Sequence, residues 1–486
     1  MSVREDLLKV EQQRFYTTPA FVAAIGVLLI TTFALFIPPF IGMADNGDYF
    51  RILYSNGLYF HDPHYDSQYL GYFVKQYGIL QYFNENGATL FSSQSIFIKM
   101  ALQLNEWFFS TEVFDIRFQG ALYTVLYVIG IYLLTESLTW QLDRKRGYII
   151  SLVTIFLFAD TAYTAYFNSF YSESVVLISL IYMVASLLLI YRNRYNDYVM
   201  MILFTISSLL LTTSKQQNSP VGIIIAVMGL LLLFIKPSKL FRAVTTITLA
   251  AVLFAGVGSY ILISDEFKNI NKYHAMNRGI LLNSPDPEAA LEAFDIDRQY
   301  AVLSGDIYYL PYTTVDVNSN LLVENFYNRY SFFSVLLYYI SHPDQAISML
   351  NKAAQNGFAI RPEAMGNFEQ AVGKPFGEQT SFFSLYSKVK QSISPKTFGF
   401  IVIWIVIMIG LFVPSFITAF KARDKRGMLP LPLIVTLILI GLSAILVSIV
   451  GAGDADLAKH QFLFTASFDV VTYAAVCSLI ARRLWS

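Results

Sequence analysis

The sequence has one cysteine, few charges and no excess of either sign. A lone cysteine, Cys477, cannot close an internal disulfide, and no C-x-x-C pair offers metal spacing. Its place in the last apolar stretch reads as a small buried side chain. Charged residues are 14% of the 486, against about 25% in ordinary soluble domains. Lysine plus arginine and aspartate plus glutamate both number 34, so no basic surplus exists to follow a nucleic-acid backbone. Nucleic acid is therefore not an expected partner. The chain also lacks internal repeats and low-complexity tracts, and a missing repeat counts against a secondary transporter. Disorder is excluded too, because 55% of the residues are hydrophobic.

What the sequence has instead is long apolar runs. Ten read as spanning helices: 19–41, 118–140, 148–167, 173–191, 198–213, 219–235, 241–264, 397–420, 429–450 and 463–481. The expected fold is an all-α polytopic membrane protein. The first run has a long polar lead-in and ends in Pro38-Pro39, so it is not expected to be a cleaved signal peptide. With the N-terminus inside, seventeen basic residues fall in the inner segments, including Arg4, Lys9, Arg14, Arg144–Arg146, Arg192, Arg194 and Lys421–Arg426. The three short outer loops hold two, Lys215 and Lys459. The positive-inside rule then places both termini in the cytoplasm.

Two long segments fall outside, 42–117 and 265–396. The chain divides into an N-terminal membrane module (1–264), an outer domain (265–396) and a C-terminal membrane module (397–486). Residues 265–395 carry 14 acids and 10 basic residues, with Asp286-Pro287, Gly305 and Pro311 marking turns. A helical pattern is clearest over 325–355.

Chemistry-bearing residues cluster on the outer side. In "GMADNGDYFRIL", Asp45 and Asp48 stand at the membrane boundary. A partly desolvated carboxylate there could take a proton from a hydroxyl or ligate a metal. Equally, Asp48 could cap a helix after an Asn46-Gly47 turn, and Arg51 could pair with either acid. Eight tyrosines between 49 and 82 suit a membrane interface or a sugar ring. His61 and His64 lack a third ligand. Residues 92–110 form an amphipathic pattern, lying in the interface or packing in the outer domain.

Asp160 falls within the third run, either functional or in a buried hydrogen-bonded pair. "AYFNSFYSES" offers Asn168 and Glu173. "TTSKQQNSP" packs Lys215, Gln216, Gln217 and Asn218 into one turn, where the lysine could anchor or meet a phosphate as a point charge. The large outer segment adds His274, Arg278, Arg361 and Asn367. "GAGDADLAKHQFLF" carries Asp454, Asp456, Lys459 and His460 between two apolar runs. Lys459 and His460 could clamp a lipid phosphate, and the D-x-D has the form of a metal site.

"DNGDYFRI", "AYFNSFYSES", "SKQQN" and "GDADLAKH", in this order, resemble the bacterial glycan-biosynthesis hexosyltransferases of the WsfD type. More distantly they resemble the GT-C superfamily of membrane glycosyltransferases. The resemblance implies transfer of a sugar, usually with inversion, from a polyprenyl-phosphate carrier to a glycan, teichoic acid or glycolipid acceptor on the outer face of the plasma membrane. It implies a catalytic acid at Asp45 or Asp48, and interface helices in the first loop. The D-x-x-D spacing departs from the adjacent acids or D-x-D of many members. Phosphate contacts are expected from Lys215, Lys459, His460 and Arg278. Further substrate contacts are expected from Asn168, Glu173, Gln217, Asn218, Arg361, Asp454 and Asp456. No cofactor is required by this reading, and a divalent metal stays optional. The competing expectation is a transporter or flippase of a lipid-linked glycan, with a polar path through the spans.

Overall fold

A computed structural model describes residues 18–82, 90–310 and 312–484. Arg4, Lys9, Arg14 and Pro311 lie outside the described residues. The first apolar run folds as α1 (Pro19–Phe36). Thr18 Oγ1 accepts the Phe21 N–H at 3.3 Å, and Pro19 fits the first helical position. The helix stops five residues short of the expected 41. Pro38 and Pro39 donate no backbone N–H, and each disfavours helical geometry in the residue before it.

In chain order there follow α2 (Tyr49–Ser55), α3 (Gln94–Phe108), α4 (Arg117–Thr139), α5 (Arg144–Phe158), α6 (Glu173–Tyr191), α7 (Asp197–Thr213), α8 (Ser219–Met228) and α9 (Lys239–Ile261). The large outer segment contributes α10 (Asp265–His274), α11 (Phe332–Ser341), α12 (Pro343–Asn356) and α13 (Leu385–Ile393). The chain then enters α14 (Phe398–Lys421), α15 (Pro430–Ala452), the single turn α16 (Leu457–His460) and α17 (Phe462–Ala481). Among the described residues, eight helices are long and apolar enough to span a membrane, counting 216–234, which contains α8, as one. α5 and the segment Thr161–Asn168 make a ninth, bent by 49°. The remaining expected run, 198–213, is α7, 17 residues long. It packs between α6 and α9. The protein is thus a mostly helical, multi-pass membrane protein.

The bend in the third run has a local cause. Asp160 stands in the break after α5 and caps the next turn, accepting the Ala162 N–H at 2.8 Å. Its carboxylate also accepts the Ser387 N–H and hydroxyl, both at 2.9 Å. The buried hydrogen-bonded alternative for Asp160 is the one observed. The helical pattern over 325–355 divides into α11 and α12, because Pro343 starts the second helix.

A three-stranded antiparallel sheet in the first long loop was not expected. It comprises β1 (Leu58–Tyr59), β2 (Gln76–Ile79) and β3 (Val113–Asp115), in that order. Tyr77, in β2, and Tyr49 are fully buried and packed on Phe170. These two tyrosines are core residues, not interface anchors. α3 buries Gln94, Ile98, Ala101 and Asn105 and exposes Ile96, Met100, Trp107 and Phe108. An apolar exposed face of this kind fits the membrane boundary. Ser92 and Ser93, just before α3, donate to the carbonyls of Ser214 and Leu210 at 2.7 and 2.8 Å. The first loop is thereby tied to the turn that carries Lys215. The first loop is also tied to the large outer segment: Gly42 and Ala44 donate to the carbonyls of Asn367 and Gly366.

The loops sort to two ends. At one, Arg194 pairs with Glu136, and Asp197 holds both Lys236 and Arg426. At the other, acids and lysines from distant loops meet.

Candidate functional site

The site begins with the turn after α1. Gly47 has φ near +99°, a conformation that favours glycine. This tight turn brings the Gly47 and Tyr49 N–H groups to Asp45 Oδ1, at 2.7 and 3.1 Å. The Tyr65 hydroxyl donates to Oδ2 at 2.9 Å. Asp45 is buried, and burial raises its pKa against these hydrogen bonds. Both oxygens are therefore committed to holding the start of α2. Asp48 stands at the capping position yet makes no capping bond. Its side chain is half exposed and lines a cavity of about 460 Å³. Arg51 pairs with neither acid: it donates to the Tyr309 hydroxyl at 2.7 Å and lies over Phe267.

The last outer turn meets this one. Gly453 has φ near +61°, and a Cβ there would lie 2.4 Å from the Gly279 nitrogen. Only glycine permits this approach. Beyond it, α16 directs Lys459 inward. Its ammonium contacts the Asp48 carboxylate, lies 3.3 Å from Asn46 Oδ1 and sits over the Tyr171 ring at 4.5 Å. Asp456 Oδ2 is 3.9 Å away and accepts from Asn46 Nδ2 at 2.9 Å. Burial pushes the Lys459 pKa down to about 7, with the nearby Asp45 charge opposing. Burial pushes Asp456 up to about 6. His460 also lines the cavity, and burial holds it down to about 3, with Lys215 and Lys459 acting the same way. Its ring is therefore neutral at physiological pH.

Two more turns add to the polar wall. Glu173, fully buried at the start of α6, pairs with Lys215. Its Oε2 has no hydrogen-bond partner among the described residues. Gln217 donates to the His460 carbonyl at 3.0 Å, joining the Lys215–Gln217 turn to the last outer turn. Arg51, Gln94, Gln216 and Asn271 also line the cavity, and the larger part of its surface is apolar, with Phe91, Tyr260, Ile263, Phe332, Leu336 and Leu446 among its residues. Tyr260 and Leu446 are among its exposed residues.

Of the residues expected from sequence, Asp48, Glu173, Lys215, Gln217, Lys459 and His460 line one cavity. Asp456 stands just behind it, on Asn46 and Lys459. The others are engaged elsewhere. Arg278 and Asp454 form an ion pair at 2.7 Å, with Lys352 as a second cation on Asp454. Arg361 is buried on Asn367 Oδ1 and the Thr380 carbonyl. Asn168 donates to the Ile41 carbonyl, and Asn218 to Ser214 Oγ. Sequence reasoning passed over Asn46 and Tyr171, which cradle Lys459. Both lay inside the motifs, and neither side chain's chemistry distinguished it there.

A divalent metal does not fit these acids. Asp454 and Asp456 diverge onto different partners, and Asp48 and Glu173 each hold a lysine. Among the described residues, no three His, Cys, Asp or Glu side chains group as a metal site. No curated protein matches the chain. The family model for the YfdI N-terminal transmembrane domain matches residues 5–486, and the chain belongs to that family.

Proposed function

We propose that the protein is a GT-C-type hexosyltransferase that uses a polyprenyl-phosphate sugar. It would pass the sugar, with inversion, to a glycan, teichoic acid or glycolipid on the outer face of the plasma membrane. The observation that carries this reading is the cavity's mixed lining. Asp48, Lys459, Lys215, Glu173 and His460 supply charge and hydrogen-bonding groups, Arg51, Gln216, Gln217 and Asn271 add further polar ones, and the larger part of the surface is apolar. A lipid phosphate has the same mixed character, with a charged head and a hydrocarbon tail.

In this reading Asp48 is the general base. It accepts the proton of the acceptor hydroxyl as that oxygen attacks the anomeric carbon. The bond from that carbon to the phosphate oxygen breaks, and the phosphate leaves with the electron pair. Lys215 offsets the charge that develops on it, on the face of the sugar opposite Asp48, whose carboxylate Lys459 holds. Glu173 Oε2, buried and without a partner among the described residues, offers an acceptor to a sugar hydroxyl.

The test is transfer from radiolabelled polyprenyl-phosphate hexoses to cell-envelope acceptor by protein purified in lipid. Asp48→Asn is expected to lower transfer by about 10²–10⁴-fold, with Asp45→Asn far less affected. Full activity in Asp48→Asn would refute the assigned base. Transbilayer movement of the labelled lipid without transfer would favour a flippase instead.

A further inference from the structure

A second cavity, of about 240 Å³, lies at the opposite, basic end of the bundle. It is enclosed by the last turns of α4, α6, α14 and α17 and the first turns of α15. Arg192 and Arg483 both line it. Arg192 Nε donates to the Ser137 carbonyl at 3.2 Å, and Arg483 Nη2 to the Trp140 carbonyl at 2.6 Å. Each arginine is thus held by one edge on the C-terminal carbonyls of α4, an ordinary helix-end contact.

Arg192 also lies over the Tyr191 ring at 4.4 Å, but among the described residues neither arginine meets a carboxylate. Neighbouring Arg194 and Arg426 rest on carboxylates, Glu136 at 2.8 Å and Asp197 at 2.6 Å. Arg192 and Arg483 have no carboxylate within ion-pair reach among the described residues. Arg483 Nη1 is shielded from solvent and has no hydrogen-bond partner among them. Among the described residues that line the cavity, Asp424 is the one acid, and its Oδ1 accepts the Arg426 N–H at 3.0 Å. Burial and the charge of Arg192 pull the Arg483 pKa down to about 10. Two guanidinium groups kept together this way call for an anion.

The rest of the cavity indicates which anion. Ser415 and Thr418 add hydroxyls, and Phe412, Leu433 and Leu437 continue the wall as hydrocarbon. α14, beside it, is the least buried of the long apolar helices and presents most of its surface outward. A phosphate at the arginines would leave attached acyl chains along α14 and α15. Arginine suits this role because its planar fork meets phosphate in two directions.

We infer that the cavity between Arg192 and Arg483 holds the phosphate headgroup of an anionic membrane lipid, in the leaflet bordering the basic loops. This site is separate from the large cavity and independent of the glycosyltransferase reading.

The test compares the purified full chain in phosphatidylglycerol and in phosphatidylcholine nanodiscs, with lipid retention read by native mass spectrometry and stability by thermal unfolding. Phosphatidylglycerol is expected to be retained and to raise the melting temperature relative to phosphatidylcholine. Retention should fall about tenfold in Arg192→Gln and in Arg483→Gln, the loss of a charged hydrogen bond in each. Arg483→Lys should retain part of it. Equal retention of both lipids, or undiminished retention in the Gln variants, would overturn the proposal. So would an equal thermal shift from inorganic phosphate alone, which would assign the site to a free anion. If a Gln variant fails to fold, the wild-type lipid comparison still decides.

Discussion

Asp45 and Asp48, three residues apart, have opposite fates. Asp45 spends both oxygens on the Gly47 and Tyr49 amides and the Tyr65 hydroxyl, while Asp48 faces the cavity. Asp45→Ala leaves those groups without their acceptor, so we expect it to destabilise the fold by about 1–3 kcal/mol, read by thermal unfolding. An unchanged melting temperature would contradict the structural role. His460 gives a pH prediction. Its pKa is pushed to about 3 in the fold, against about 6.5 in an unfolded chain. Between these values the unfolded form binds the extra proton, so stability rises with pH across that window and is lost on acidification. His274, pushed by burial to about 4, acts in the same sense. His460→Gln is therefore expected to lose less melting temperature than wild type between about pH 7 and about pH 5. The sequence named both acids and the histidine, but their roles depend on neighbours contributed by other segments.

At the scale of elements, the spans were legible because length and apolarity are local properties. Their ends were legible where proline acts, as at Phe36 and Pro343. α13 was not legible as an anchor. It carries Lys390 into the bundle, where the ammonium donates to Asp469 Oδ1 at 2.6 Å and the Tyr163 hydroxyl donates to Oδ2 at 2.5 Å. Lys390 and Asp469 are 79 residues apart and both buried, so no local pattern links them. Lys390→Met strands a buried carboxylate, and we expect a loss of about 3–5 kcal/mol. Adding Asp469→Leu should recover most of it, because an apolar pair can replace a buried ion pair. A double variant as unstable as the single one would show that the charges themselves are needed.

For the whole molecule, the basic loops gather at one end and the large cavity lies at the other. The single native cysteine is buried, so engineered thiols report without background. Tyr312→Cys and Tyr82→Cys replace side chains that are 94% and 90% exposed. In intact cells both should react with a membrane-impermeant maleimide, while Lys425→Cys should react only after permeabilisation. Labelling of Lys425→Cys in intact cells would reverse the orientation. The four motifs were each visible in the sequence. Their meeting was not, because it depends on how α1, α6, α8 and α17 pack.

The sequence by itself determined the class of molecule, the number of apolar runs, and the segments where charge and chemistry collect. Those follow from the cost of polar backbone and charge in hydrocarbon, which acts on each stretch separately. Tertiary structure decided which acid faces the cavity, which lysine it meets, and that Arg278, Arg361, Asn168 and Asp454 are committed elsewhere. Those outcomes turn on contacts of a few ångströms between residues as far apart as Asp48 and Lys459, a distance in sequence that no local preference spans.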